Sequence, residues 1–145
     1  MQDHLLGKTD LKVSRLAFGA SPFGDIYNEA VSVDEARYMI AAAVEQGINY
    51  IDVAPYYGLG LAEEKLGAAL PQNTDHLILS TKIGRYGDTL FDFSKQRIDA
   101  SIETSLKKLK RNTIDLLFCH DIEFVDPQLI VHDVIPYLQT LKQKG

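Results

Sequence analysis

The fold is decided by the segment Ile48-Asn49-Tyr50-Ile51-Asp52-Val53-Ala54-Pro55-Tyr56-Tyr57-Gly58. Its first four residues predict a short buried strand, and Asp52 stands at the end of that strand. The segment before it predicts a helix, because Ser32 and Glu35 have capping-box spacing and Gly47 is suited to a left-handed helix end. The apolar stripe of this helix consists of Ala36, Met39, Ile40, Ala43 and Val44. A helix leading into a buried strand is the repeating unit of a parallel α/β sheet.

The same strand-helix pattern occurs along the rest of the chain. A hairpin is predicted over residues 4–13, before the first unit. The predicted strands cover residues 16–19, 48–51, 77–82 and 114–119, and the later helices cover about 61–70, a segment after Ser94, and 127–144. Pro71 stops the second helix, and Pro136 must kink the last one or begin a new helical segment. Gly145 stands where a helix cap belongs.

Four polar side chains stand at or just beyond the ends of three predicted strands: Asp52, Tyr57, Lys82 and His120. The carboxyl ends of parallel strands open on one face, so these residues can meet around one ligand. A tyrosine has a pKa near 10, which a neighbouring lysine ammonium lowers by favouring the phenolate. Asp52 would keep Lys82 charged and His120 would orient a substrate oxygen. Such a site suits proton transfer at a carbonyl or alcohol oxygen.

The four residues resemble the catalytic tetrad of the aldo-keto reductase family in type, order and spacing. Two further segments, Phe91-Asp92-Phe93-Ser94 and Cys119-His120-Asp121-Ile122-Glu123-Phe124, resemble the branch that contains L-galactose dehydrogenase and the aldose 1-dehydrogenases. The resemblance implies a (β/α)8 barrel and an NAD- or NADP-dependent oxidoreductase that acts on an aldose or another small carbonyl or alcohol. It implies that Tyr57 is the acid/base, that Lys82 lowers its pKa, and that Asp52 supports Lys82. The cofactor is expected to contact Gly19, Ala20, Ser21 and Asp52.

Length limits this expectation. A complete (β/α)8 barrel needs about 250 residues, whereas the chain has 145. Residues 1–145 are therefore expected to form the first four β/α units, the amino-terminal half of a barrel, with two unpaired sheet edges. We expect self-association or pairing with a carboxyl-terminal half, and weak or no activity of the chain alone.

Composition argues against several other classes. The net charge of −5 gives no general attraction to nucleic acid or anionic membranes. The single cysteine, Cys119, fits a reducing compartment, and the amino terminus lacks a signal-peptide pattern, so a cytoplasmic protein is expected. The longest apolar runs are too short to cross a membrane.

Other functions stay open at this point. The chain could be a non-catalytic half-barrel used for association, or a regulatory subunit that senses a cofactor. A metal hydrolase would use His120, Asp121 and Glu123, although neighbouring residues on a strand end point in different directions. A thiol mechanism at Cys119 is disfavoured because a reactive cysteine needs an exposed, electropositive setting.

Overall fold

The computed structural model of the chain describes residues 3–27, 29–71 and 76–144, so the predicted cap at Gly145 lies outside the described residues. The strands are β1 (Asp3–Leu5), β2 (Lys12–Ser14), β3 (Phe18–Gly19), β4 (Tyr50–Asp52), β5 (Ile78–Ile83) and β6 (Leu116–Cys119). The α-helices are α1 (Val33–Glu45), α2 (Leu61–Ala69), α3 (Lys95–Leu109), α4 (Pro127–Leu129) and α5 (Ile135–Lys144). The predicted sequence of a hairpin followed by four strand-helix units is confirmed.

The four strands β3 to β6 form one parallel sheet in the order of the sequence, and β1 and β2 pair as a separate antiparallel hairpin. Gly19 pairs with Asp52, and Asp52 pairs with Ser80, so these three residues form one row across the sheet. Two residues further along β5, Lys82 pairs with Phe118. The sequential parallel order is that of half a (β/α)8 barrel, as predicted.

Helices α1 and α3 begin at the predicted serine caps, and α2 packs into the main core. Ser32 caps α1 in a complete capping box with Glu35, and Ser94 accepts the Arg97 N–H at the start of α3. Leu66 of α2 is fully buried in the main core cluster. That cluster lies between the sheet and helices α1 and α2, and includes Ala36, Ile40, Ile51, Val53, Leu66 and Leu79.

A second core cluster lies under α3 and the last helical segment. Its buried members are Ile83, Phe93, Ile98, Ile130 and Val134. The segment between α4 and α5, Ile130–Val134, winds as a π-helix. Pro136 is the second residue of α5, so a new helical segment begins there, which is one of the two forms predicted.

One strand is less covered than its sequence indicates. The apolar run in β6 predicts a strand buried on both faces, but Phe118 is 44% exposed. In the part of the chain that the structure describes, β6 is an edge of the sheet and β3 is the other. The apolar composition of β6 therefore matches a central strand, while its position here is at an edge.

No helix among the described residues has the length and apolar character that a membrane crossing requires.

Candidate active site

The four predicted residues lie at the carboxyl ends of β4, β5 and β6. Asp52 is the last residue of β4, Lys82 is the second-last residue of β5, and His120 follows β6 directly. Tyr57 begins a 3-10 turn, Tyr57–Gly60, that connects β4 to α2. The parallel sheet thus brings together residues that are up to 68 positions apart (120 − 52).

Lys82 is held at the centre of the group by two acceptors. Its Nζ donates to Asp52 Oδ2 at 2.7 Å and to the Val53 carbonyl at 3.0 Å. The same Nζ lies 4.9 Å from the centroid of the Tyr57 ring. The lysine side chain is only 13% exposed, so the ammonium is paired with a carboxylate in a partly desolvated setting. A cation in this place attracts the electron-rich face of the Tyr57 ring.

Asp52 is fixed from both sides. Its Oδ1 accepts from the Ser80 hydroxyl at 2.5 Å, while Oδ2 accepts from Lys82. Ser80 is fully buried and sits beside Asp52 in the parallel ladder. These two hydrogen bonds fix the orientation of the carboxylate, and the carboxylate in turn holds the Lys82 ammonium beside the Tyr57 ring.

His120 packs edge-on against two tyrosines. Its ring centroid lies 5.7 Å from Tyr57, at 89°, and 5.8 Å from Tyr56, at 73°. Burial is the main cause that lowers the pKa of His120, which opposes the effect of the neighbouring Asp121 carboxylate. The imidazole is therefore neutral at pH 7. Its Nδ1 is buried and has no hydrogen-bond partner among the described residues. A buried polar atom of this kind is available to a ligand.

The turn that carries Tyr57 is packed backbone against backbone. Gly58 has a φ of +61°, and a Cβ at this position would lie 2.1 Å from the Gly24 carbonyl oxygen. A Cβ on Gly24 would in turn lie 2.7 Å from Gly58 N. Two glycines are thus needed for the Ser21–Gly24 turn after β3 to support the turn that positions Tyr57.

The residues predicted to contact a cofactor lie beside Asp52 but differ in accessibility. Gly19 is exposed, and a Cβ there would meet open space. Ser21 is half-buried at the start of the following turn. Ala20 is fully buried, and its N–H donates to the Asp52 carbonyl at 2.8 Å. Gly19 and Ala20 therefore tie the loop to β4, and the contact of Gly19, Ala20 and Ser21 with a cofactor stays a prediction.

An arginine that the sequence did not single out borders the same site. The Arg85 guanidinium lies 3.9 Å from the Tyr56 ring centroid, and its Nη2 donates to the Tyr56 hydroxyl at 3.0 Å. Arg85 also forms an ion pair with Asp121. The Tyr56 hydroxyl donates to Asp88 at 2.9 Å, and this bond is the main cause that raises the pKa of Tyr56. Arg85 thus joins the segments after β4, β5 and β6.

Two alternative chemistries find little support in this geometry. The described residues contain no group of three or more histidine, cysteine or acidic side chains placed to hold a metal ion. Burial raises the pKa of the Cys119 thiol, which keeps it protonated. What the arrangement can do is move a proton between Tyr57 and a substrate oxygen, next to a lysine-aspartate pair and a neutral histidine.

The chain is similar to known proteins over nearly its whole length. The family model described as "Aldo/keto reductase family" matches residues 15–145. The chain is 46% identical to L-galactose dehydrogenase of Arabidopsis thaliana over 143 residues, which cover 97% of this chain and 44% of that protein. It is 36% identical to D-threo-aldose 1-dehydrogenase of a Pseudomonas species over 159 residues, covering 93% of this chain and 48% of that protein.

A solved structure shows the same fold. The holo form of an aldo-keto reductase from Bacillus halodurans superposes with a TM-score of 0.82 at 33% identity, covering 100% of this chain and 47% of that chain. The chain thus spans about half the length of the relatives it matches. On its sequence and its fold, the chain belongs to the aldo/keto reductase family.

Proposed function

We propose that the chain supplies the acid/base residues of a cytoplasmic NAD(P)-dependent oxidoreductase that acts on an aldose or another small carbonyl or alcohol. The observation that supports this most directly is the contact of Lys82 with both Asp52 and the Tyr57 ring, with His120 packed edge-on against the same tyrosine. The named activities of the two relatives, both of them sugar dehydrogenases, favour the same substrate class.

The residues present fit a nicotinamide cofactor. Gly19 is exposed at the end of β3, directly beside Asp52, and His120 presents a buried nitrogen without a partner among the described residues. Gly19, Ser21 and Asp52 would contact the cofactor in this region, and the buried Ala20 would support them through its hydrogen bond to the Asp52 carbonyl. When bound, the cofactor supplies or accepts the hydride, which no protein side chain can do.

The proton is handled by the chain's own residues. In the oxidative direction the Tyr57 oxygen accepts the proton of the substrate hydroxyl, and in the reductive direction it donates a proton to the carbonyl oxygen. The Lys82 ammonium stabilises the phenolate form of Tyr57, and Asp52 holds that ammonium in place. Burial lowers the pKa of His120 and keeps the imidazole neutral. His120 therefore orients the substrate oxygen by a hydrogen bond and leaves the proton transfer to Tyr57.

Arg85 extends the site toward the substrate. Its guanidinium is held by Asp121 and lies over the Tyr56 ring, next to Phe91 and Phe124, whose centroids are 5.4 Å and 5.9 Å away. An arginine framed by aromatic rings suits a ligand with apolar faces and hydroxyl acceptors, such as a sugar.

We also propose that a functional site needs a second half. Strand β6 is an edge strand with Phe118 exposed on it. Its unpaired edge is suited to pair with a strand of a second copy of the chain or of a carboxyl-terminal half of the barrel. The chain alone is then expected to bind cofactor weakly and to turn over slowly or not at all. Light scattering on the chain, alone and with the carboxyl-terminal half of the Arabidopsis relative, separates the two forms of association.

Activity is tested on the chain fused to the carboxyl-terminal half of the Arabidopsis L-galactose dehydrogenase. We expect L-galactose or another aldose to reduce NAD or NADP, and Lys82→Met to lower kcat by about a hundredfold, since a positioned acid/base system contributes on this scale. Lys142→Met, which removes an exposed lysine on α5, is the matched control. Full activity of Lys82→Met, or no turnover of any aldose by a folded fusion, would contradict the proposal. The latter result would favour an association module or a cofactor-sensing subunit.

A further inference from the structure

A second cluster of polar residues lies outside the acid/base site, in a cleft of about 190 Å³ beside helices α2 and α3. The residues that matter for its chemistry are Glu63, Tyr86, Arg97, Ser101 and Lys108. We call this the α2–α3 cleft. Liquid water occupies about 30 Å³ per molecule, so the cleft has room for about six waters, or for a small polar ligand with fewer waters.

Two hydroxyls in the cleft are buried without a hydrogen bond. Tyr86 Oη and Ser101 Oγ have no partner among the described residues, although both atoms are shielded from solvent. A buried polar group that is left unpaired is destabilising, because it has lost its hydrogen bonds to water. Tyr86 and Ser101 both line the cleft, so a single ligand there is within reach of both residues.

Two cations line the cleft with them. The Arg97 guanidinium stacks 4.0 Å from the Tyr86 ring centroid. Lys108 lies against Gly60, because a Cβ on that glycine would be 1.9 Å from the lysine Nζ. Arginine and lysine are donors without acceptors, so the lining is rich in hydrogen-bond donors.

One acidic residue, Glu63, also borders the cleft, but it already has partners on the core side. It is 1% exposed and accepts hydrogen bonds from Thr81, at 2.7 Å, and from Ser105. With Glu63 ionised, the two cations still leave the cleft with a net positive charge.

We propose that the α2–α3 cleft binds a small oxyanion, of the phosphate or carboxylate class, through Arg97, Lys108 and the hydroxyls of Tyr86 and Ser101. Charged nitrogen donors and hydroxyl donors are the groups that recognise such oxygens. The cleft is also lined by Pro55, Leu59 and Gly60, which flank Tyr57 in the chain. An oxyanion in the cleft therefore links α3 to the segment that carries Tyr57.

The test is titration of the chain with inorganic phosphate, followed by NMR and by the melting temperature, with acetate as a second probe and chloride at matched ionic strength as reference. We expect saturable shifts of the Tyr86 and Ser101 amide resonances and a rise in melting temperature. A stronger response to phosphate assigns a phosphate ligand, and a stronger response to acetate assigns a carboxylate. If neither response exceeds that to chloride, the proposal is wrong.

Two conservative variants sharpen the test. Tyr86→Phe and Ser101→Ala each remove one hydroxyl that has no partner in the ligand-free protein, so the melting temperature without phosphate should stay the same or rise. Each should weaken phosphate binding about tenfold, the effect of one hydrogen bond to a charged group. The matched control is Tyr137→Phe, which removes a hydroxyl that donates to Asp99 at 2.6 Å. It should lower the melting temperature and leave phosphate affinity unchanged. Equal phosphate affinity of Tyr86→Phe, Ser101→Ala and the wild type would overturn the proposal.

Discussion

Replacing Asp52 separates the hydrogen bonds of the site from its charge. Asp52→Ala removes both acceptor oxygens and leaves the largely buried Lys82 ammonium without its carboxylate. Asp52→Asn has the same shape, and by turning its amide it can still accept from Lys82 and donate to the Ser80 oxygen. The two variants therefore lose different parts of the same arrangement.

The magnitudes follow from the two contacts. Asp52 accepts at 2.5 Å from Ser80 and at 2.7 Å from Lys82. A hydrogen bond to a charged group contributes roughly 1.5–3 kcal/mol. Because the aspartate side chain is 28% exposed, solvent screens part of this. We expect Asp52→Ala to lower the free energy of unfolding by about 3 kcal/mol and Asp52→Asn by about 1 kcal/mol, since neutral hydrogen bonds contribute about 1 kcal/mol.

The assay is urea denaturation of the chain. With a slope of about 2 kcal/mol/M, the midpoints of the two variants should differ by about 1 M. Asp34→Ala is the matched control, because Asp34 is 91% exposed in its pair with Arg37 and should change stability by less than about 1 kcal/mol. Equal midpoints for Asp52→Asn and Asp52→Ala would refute the reasoning. They would show that the hydrogen bonds retained by asparagine add nothing to the free energy of unfolding.

Three other predictions concern the fold and its pH dependence. Gly58→Ala should destabilise by about 2 kcal/mol or more, from the positive φ and the contact at 2.1 Å with Gly24, whereas Gly19→Ala should be tolerated; urea midpoints check both. Burial lowers the pKa of His120, so the unfolded chain binds its proton first, and stability should fall as pH drops below about 6.5; His120→Asn should flatten that part of a plot of unfolding free energy against pH. Burial raises the pKa of Glu63 above 4.5, so native stability should fall as pH rises through that raised value. Glutamine does not titrate, so the urea midpoint of Glu63→Gln should rise relative to that of the wild type as pH increases above 4.5. A difference between the two midpoints that does not change with pH would contradict this.

Much of the fold could be predicted because its signals are local. The capping box at Ser32 and Glu35, the cap at Ser94 and the left-handed Gly47 each depend on neighbours within a few residues. The proximity of Asp52 and Lys82 could be predicted because the strand ends of a parallel sheet share one face.

The remaining features depend on contacts that the sequence does not display. Arg85 pairs with Asp121, 36 positions away, and nothing near Arg85 in the chain indicates a partner after β6. The approach of Gly24 to Gly58 likewise joins two turns after different strands. A glycine in each of two loops after neighbouring strands was the available signal, and it is a weak one because glycine is common in turns.

The exposure of Phe118 illustrates the opposite case. The apolar run of β6 is typical of a central strand, yet burial depends on what lies next to the strand. With β6 at the edge of the described sheet, the same residues lie at a surface. Local sequence thus predicts the element, and the neighbouring elements determine its burial.

The most direct measurement follows hydride transfer to the cofactor and asks whether its rate depends on Tyr57. The fusion with the carboxyl-terminal half of the Arabidopsis relative is given an aldose carrying deuterium at its anomeric carbon, and the wild type is compared with Tyr57→Phe and with Tyr38→Phe, an exposed control on α1. If Tyr57 is the acid/base, deuterium appears on the cofactor in the wild type and in Tyr38→Phe, and Tyr57→Phe is slower by a factor of about 10²–10⁴. Transfer at an unchanged rate in Tyr57→Phe would contradict the assignment.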